Sequence, residues 1–128
     1  MPMELSSGTY HIQGVEVNAL CEEFGTPLYV YDGAKIVDQL KSLKNAFSET
    51  DVRIKFAAKA LTNIAVLKLL RKNGAGIDVV SINEARLAMH AGFTPAEIMF
   101  TPNCVDFEEI VEGVDLGLSI NLDNLSVL

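Results

Sequence analysis

The sequence predicts an α/β fold with a parallel sheet, and three observations carry that prediction. Apolar stretches of strand length begin near positions 54, 77, 98 and 118, an interval of about 20 to 23 residues. Each gap between them holds residues with helical periodicity. Capping residues and glycine stops bracket those gaps. A strand–helix–strand repeat of this kind requires parallel pairing through right-handed crossovers. A doubly wound sheet and part of a (β/α)8 barrel both satisfy it. No GxGxxG turn follows any strand; Gly74-Ala75-Gly76 precedes one instead, which argues against a dinucleotide site. A whole barrel takes about 250 residues. Four such strands in 128 residues, with a last helix only begun, look like a fragment of one.

Residues 10–15 predict a short strand with a turn at Gly14, and 17–25 a short amphipathic helix that Gly25 ends. Thr26-Pro27 breaks the pattern, and Leu28-Tyr29-Val30-Tyr31 has the composition of a strand. Asp32 is placed to cap a helix over 33–47, where Ile36, Leu40, Leu43 and Phe47 recur at helical spacing. After the polar turn 48–51 comes a strand over 52–59. Thr62 or Asn63 caps the next helix, through Val66, Leu67, Leu69 and Leu70 to Gly74. A strand over 76–80 follows. Ser81 and Glu84 form a capping box for a helix that runs to Ala91 and stops at Gly92. Thr94-Pro95-Ala96-Glu97 repeats the capping-box arrangement on one short turn. Next is a strand over 98–101, then a helix opened by Asp106 and Glu109 that ends near Gly113. A final strand spans 118–121, and Asp123-Asn124-Leu125 starts another helix.

With 49% hydrophobic and 21% charged residues, the chain can build the core of one modest soluble domain. A net charge of −7 argues against nucleic acid as a partner, since such proteins cluster Lys and Arg. Here Lys41, Lys44, Lys68, Arg71 and Lys72 are spread over helix faces, and Glu108, Glu109 and Glu112 make an acidic one. Cys21 and Cys104 fit no metal or redox spacing and predict two small buried residues. His11 and His90 are isolated, so no metal site is expected. The N-terminus has no basic stretch leading into an apolar one, and no run approaches the roughly 20 apolar residues of a membrane span. A cytoplasmic protein with no membrane partner is expected.

The stretch 52–63 carries the chemistry. In an extended chain Ile54, Phe56 and Ala58 share one side, and Ala57 and Lys59 the other. Lys59 then stands among apolar residues at the C-terminal end of its strand, where parallel α/β folds collect their chemistry. Burial disfavours the ammonium form, and a neutral amine is a nucleophile able to form a Schiff base with an aldehyde. The alternative is a strand-end lysine whose stem packs and whose head is solvated.

Three motifs then occur in order: Phe24-Gly25-Thr26-Pro27-Leu28-Tyr29-Val30-Tyr31-Asp32, Phe56-Ala57-Ala58-Lys59-Ala60, and Gly74-Ala75-Gly76-Ile77-Asp78-Val79-Val80-Ser81 with Glu84. Together they resemble the N-terminal part of the fold-type III pyridoxal-phosphate decarboxylases. Within that group the likeness is greatest to the diaminopimelate type, and the ornithine and arginine types share the pattern. The match spans roughly 17–128. The resemblance implies a pyridoxal-phosphate-binding, alanine-racemase-like (β/α)8 barrel. Residues 32–128 would be its first, truncated βα units, and 1–31 an N-terminal segment associated with a β-domain.

The resemblance also implies site residues. Lys59 matches the catalytic lysine that carries pyridoxal 5′-phosphate, and Asp78 matches an acidic residue close to it. Glu84 matches another acidic position on the cofactor side, although its capping role already explains it. Leu61 stands where the family often has Asn, with Asn63 two residues on. Thr101-Pro102-Asn103 ends the third barrel strand on the face where a site would lie.

The implied activity is amino-acid decarboxylation, from meso-2,6-diaminopimelate to L-lysine in lysine biosynthesis. An ornithine- or arginine-type enzyme is one alternative. A non-catalytic barrel relative that binds a partner or the cofactor is another, and retention of Lys59 and Asp78 counts against it. A homodimer is implied for the family. The family's glycine-rich phosphate loop, ring-nitrogen carboxylate and substrate-specificity segment would lie past Leu128, so these residues alone are expected to be inactive.

Overall fold

The computed structural model describes residues 3–125, and the chain divides into two units, Met1–Gln39 and Leu40–Leu128. In the first, β1 (Glu4–Ser6), β2 (Thr9–Ile12) and β3 (Val15–Glu16) form an antiparallel sheet in that order. Ser6 pairs with Thr9 and Ile12 with Val15, which leaves Ser7-Gly8 and Gln13-Gly14 as two-residue loops. All four loop residues have positive φ, from 52° to 83°. That is type I′ geometry, whose twist matches the flanking strands, and glycine at the second position meets it without strain. The turn at Gly14 is where the sequence predicts it, whereas β1 and its hairpin are additional. α1 (Val17–Phe24) follows, and Gly25 ends it at φ 79°.

Leu28-Tyr29-Val30-Tyr31, predicted as a strand, is irregular. Tyr29 is 88% exposed, and no strand pairs with the segment among the described residues. β-propensity acts through packing on a pleated surface, and none is supplied here. Asp32 does cap α2 (Gly33–Ala46): its Oδ1 accepts from the Lys35 N–H at 2.9 Å and its Oδ2 from Gln13 Nε2 at 3.0 Å. Those two bonds, the Lys35 one first, hold its carboxyl below the usual range. Of the apolar positions predicted to line this helix, Leu40 is buried and Ile36 half-buried, but Leu43 is exposed, as is Phe47 just past the end of α2.

The second unit is built on four parallel strands, β4 (Lys55–Ala57), β5 (Gly76–Val79), β6 (Ile98–Phe100) and β7 (Ser119–Ile120), in that spatial order. The connections carry α3 (Ile64–Lys72), α4 (Ile82–His90) and α5 (Phe107–Asp115). Lateral partners in a sheet point to the same side. Phe56 with Ile77, Ile77 with Ile98, Val79 with Phe100, and Phe100 with Ile120 therefore share one face. Ile77, Val79, Ile98 and Phe100 are fully buried there, in one cluster with Leu67 of α3 and Ile82, Ala85 and Ala88 of α4. Gly113 of α5 packs so close that a Cβ would meet Phe100 Cδ1 at 2.9 Å. Strand order thus follows chain order and three helices cover one face. A doubly wound sheet reverses its order and covers both, so the geometry selects the barrel type from the two that the repeat allows.

Local signals set most helix ends. Asn63, and not Thr62, caps α3, its Oδ1 accepting from the Ala65 and Val66 N–H groups at 3.0 and 3.2 Å. Gly74 follows at φ 75°, letting Ala75 N–H return to Leu70 O. α5 does not stop near Gly113 as predicted but runs through Asp115. That glycine answers to the close approach of Phe100, so it is not a stop signal. The helix predicted to start at Asp123-Asn124-Leu125 runs into residues outside the described ones.

Leu67→Ala is expected to destabilise the protein by about 2–5 kcal/mol in urea unfolding. Leu43→Ala on the exposed side of α2 should stay within about 0.5 kcal/mol of the parent. Gly113→Ala should cost about 1–3 kcal/mol despite its better helix propensity, because Phe100 must move.

Candidate functional site

The face of the sheet away from the helices is polar. Its register row runs from Lys55 and Ala57 through Gly76 and Asp78 to Met99 and Ser119. Thr101 and Asn121 extend that face just past β6 and β7, their N–H groups continuing the ladder to Val79 O and Phe100 O at 2.8 Å. Because the strands are parallel, one edge of the sheet collects every residue that follows a strand. Lys59, Ser81, Thr101 and Asn121 all belong to that C-terminal edge.

Asp78 lies between Ala57 and Met99 across the ladder and is half-buried. Its Oδ1 accepts from Thr101 Oγ1 at 2.6 Å, the short distance of a hydroxyl bonded to a carboxylate. Its Oδ2 has no partner among the described residues. Lys55 is on the same face, two residues before Ala57, and its Nζ donates to Glu97 O at 3.1 Å. Burial pushes the Lys55 amine below the ordinary lysine range, and the charge of Asp78 opposes that shift.

Lys59 departs from the sequence prediction in one respect. The strand covers only Lys55–Ala57, and the chain then curls into a single turn of 3-10 helix, Ala58–Ala60, closed by Leu61 N–H to Ala58 O at 2.9 Å. Alternation therefore breaks at Ala58. Ala58 is buried, whereas Lys59 is exposed and not enclosed by apolar residues. Its amine makes no hydrogen bond or ion pair among the described residues.

Glu84 opens α4, as predicted, but not through a reciprocal capping box. Ser81 Oγ accepts from Glu84 N–H at 3.3 Å, while Glu84 Oε2 accepts from Val80 N–H, one residue before the cap, at 2.9 Å. The carboxylate is thereby committed to the β5–α4 junction. The reciprocal box occurs instead at Thr94-Pro95-Ala96-Glu97. There Glu97 Oε2 accepts from Thr94 N–H at 2.7 Å, which with the Thr94 hydroxyl and Arg71 holds its carboxyl low.

Asn103 is exposed, and its Oδ1 lies 3.3 Å from Cys104 Sγ. Cys104 is also exposed, at φ 54°, contrary to the burial predicted for it; Cys21 is half-buried. Lys44, predicted as part of a solvated face, is half-buried and donates to Asn73 O at 2.6 Å. Glu112, from the acidic face, pairs with Arg86 at 2.6 Å. Thr101 as the partner of Asp78 is the contact that the sequence alone did not single out. Aligning β5 with β6 so that Asp78 meets Met99 would have placed it.

A cavity of about 430 Å³ lies at the opposite, N-terminal edge of the sheet, lined by Lys44, Phe47, Arg53, Lys55, Gly76 and Glu97 among others. It is on the wrong edge for barrel chemistry. No group of His, Cys, Asp and Glu that could hold a metal occurs among the described residues, and none of their helices is long and apolar enough to cross a membrane.

Three comparisons bear on this arrangement. Residues 33–128 match the family described as pyridoxal-dependent decarboxylase, pyridoxal binding domain. The diaminopimelate decarboxylase of Methanothermobacter thermautotrophicus is 41% identical over 119 residues, 91% of this chain and 28% of that protein. The crystal structure of M. jannaschii diaminopimelate decarboxylase in co-complex with L-lysine matches with a TM-score of 0.91 at 33% identity, over 97% of this chain and 30% of that one. Lysine/ornithine decarboxylase of Vibrio vulnificus complexed with putrescine matches at 0.79 and 28% identity, over 87% and 30%. The chain thus spans about three-tenths of the length of these relatives.

The geometry makes a stability prediction for Lys55. Its folded-state affinity for a proton is lowered, so the unfolded chain binds that proton more tightly. The burial penalty is fully present at neutral pH, and stability rises as pH climbs towards the ordinary lysine value of about 10.4. Lys55→Met should lack that alkaline rise, so in urea unfolding the stability of the parent relative to the variant should grow as pH climbs. At pH 7 it should cost no more than the roughly 1 kcal/mol of its bond to Glu97 O.

Proposed function

The chain belongs to the pyridoxal-dependent decarboxylases, as part of their pyridoxal-binding domain, and from that premise we propose that it is the N-terminal portion of a diaminopimelate decarboxylase. Such an enzyme converts meso-2,6-diaminopimelate to L-lysine and carbon dioxide. The observation that carries this reading is an uncommitted lysine amine, Lys59, on the C-terminal edge of parallel βα units that match two decarboxylase structures. The residues present suit the cofactor. An aldehyde needs an accessible amine without a competing partner, and Lys59 is exposed and unbonded among the described residues. Pyridoxal phosphate, when bound, supplies the electron sink for the charge left as carbon dioxide departs.

In this reading Lys59 holds the cofactor covalently. Asp78 offers its free carboxylate oxygen to the ammonium form of Lys59 or to the cofactor, from the adjacent strand. Glu84 serves the cofactor indirectly, by fixing through Val80 N–H the junction that follows β5. Residues 32–128 supply the first barrel units, and 1–31 belong with a β-rich domain, in keeping with the antiparallel sheet over 4–16. A cytoplasmic homodimer completes the reading and rests on likeness to the family alone. An ornithine- or arginine-type enzyme is the second reading, favoured by the match to the Vibrio vulnificus enzyme.

Borohydride reduction of the full-length protein with pyridoxal phosphate, followed by peptide mass mapping, tests the assignment of Lys59. The cofactor mass should appear on Lys59, and Lys59→Ala should lose both the label and detectable decarboxylation while keeping its fold by circular dichroism. A label on Lys55, four residues away, or none at all would overturn it. Carbon dioxide release from meso-diaminopimelate should exceed that from L-ornithine or L-arginine; the reverse order would favour the second reading.

A further inference from the structure

Asp78 has two possible partners on its own face of the sheet, one on each side along the strands. Lys55 stands towards the N-terminal edge, two residues before Ala57, the lateral neighbour of Asp78. Thr101 stands towards the C-terminal edge, two residues after Met99, the neighbour on the other side. The charge of Asp78 acts on Lys55, yet the carboxylate's hydrogen bond comes from the Thr101 hydroxyl. Lys55 is meanwhile held on Glu97 O.

Resting on the decarboxylase reading, we propose that Thr101 is a positioning residue: its hydroxyl latches Asp78 towards the cofactor edge and keeps it from pairing with Lys55. Two features make Thr101 a rigid latch. Its backbone is pinned in the ladder by the 2.8 Å bond to Val79 O, and a β-branched side chain has few rotamers at χ1. The latch occupies Oδ1 and leaves Oδ2 without a partner among the described residues, as an oxygen that must meet a lysine or a cofactor requires. Without the hydroxyl, the carboxylate has no partner on its own face other than the Lys55 ammonium one register step away, and opposite charges in a half-buried site draw together. The remaining charges acting on Lys55 are Arg53 and Glu97, and neither changes in the variants below.

The test uses the full-length protein and two readouts, the side-chain titration of Lys55 by NMR and the dissociation constant for pyridoxal phosphate. Thr101→Val should raise the Lys55 pKa above that of the parent and weaken cofactor binding about 10- to 100-fold, the worth of a hydrogen bond to a charged group. Thr101→Ser keeps the hydroxyl and should restore both. A Lys55 titration unchanged in Thr101→Val overturns the latch, whatever the cofactor does. A shifted Lys55 with unchanged cofactor affinity overturns its role towards the cofactor. Failure of the parent protein to bind pyridoxal phosphate would sink the decarboxylase reading instead, and the Lys55 titration would still decide whether the latch exists.

Discussion

Burial of one face of a parallel sheet governs both the core and the site. Ile77, Val79, Ile98 and Phe100 are wholly removed from water, each contributing roughly 1.5–3 kcal/mol against exposure. Because side chains alternate along a strand, burying that row obliges Lys55, Asp78 and Met99 to occupy the other face. A slip of one residue would drive Asp78 into the helix-covered layer, where an unpaired carboxylate is very costly. The apolar core therefore fixes the register, and the register fixes where the polar residues meet.

Strand direction then gives the two edges of the sheet different chemistry. Lys55 and Lys59 are four residues apart in one motif, and they end in opposite circumstances. The first is half-buried, bonded to Glu97 O and held low by desolvation. The second follows the strand, turns with Ala58–Ala60 and stands in solvent without a bond among the described residues. The cavity at the N-terminal edge has a mostly cationic lining, whereas the opposite edge gathers Lys59, Ser81, Thr101 and Asn121, which follow the four strands. Asp78 bonded to Thr101 across two strands is the first product of that gathering.

Much of this was legible in the chain. Strand starts near 54, 77, 98 and 118 lie close to the observed Lys55, Gly76, Ile98 and Ser119, because short apolar runs bounded by capping residues leave little choice. Asn63, Ser81 and the Thr94–Glu97 turn cap as their residue types require. The failures share one cause. Leu28–Tyr31 has strand composition but no partner strand among the described residues, Gly113 answers to a ring on the preceding strand, and Cys104 is exposed by a loop. Each depends on how elements pack or on the path of a loop, which local propensity does not register.

The order of strands and helices, their capping, and the presence of a lysine at the C-terminal end of the first parallel strand were already written in residue types and spacing. These are local matters, set by hydrogen-bonding capacity and hydrophobic period over a few residues. The choice of barrel-type order over a doubly wound sheet, the solvent exposure of Lys59, the commitment of Glu84 to Val80 N–H and the bond between Thr101 and Asp78 were settled by packing. They rest on which strands become neighbours and on where an extended chain stops being extended. Those outcomes follow from the sum of many weak contacts between remote residues, and no short stretch of sequence contains that sum.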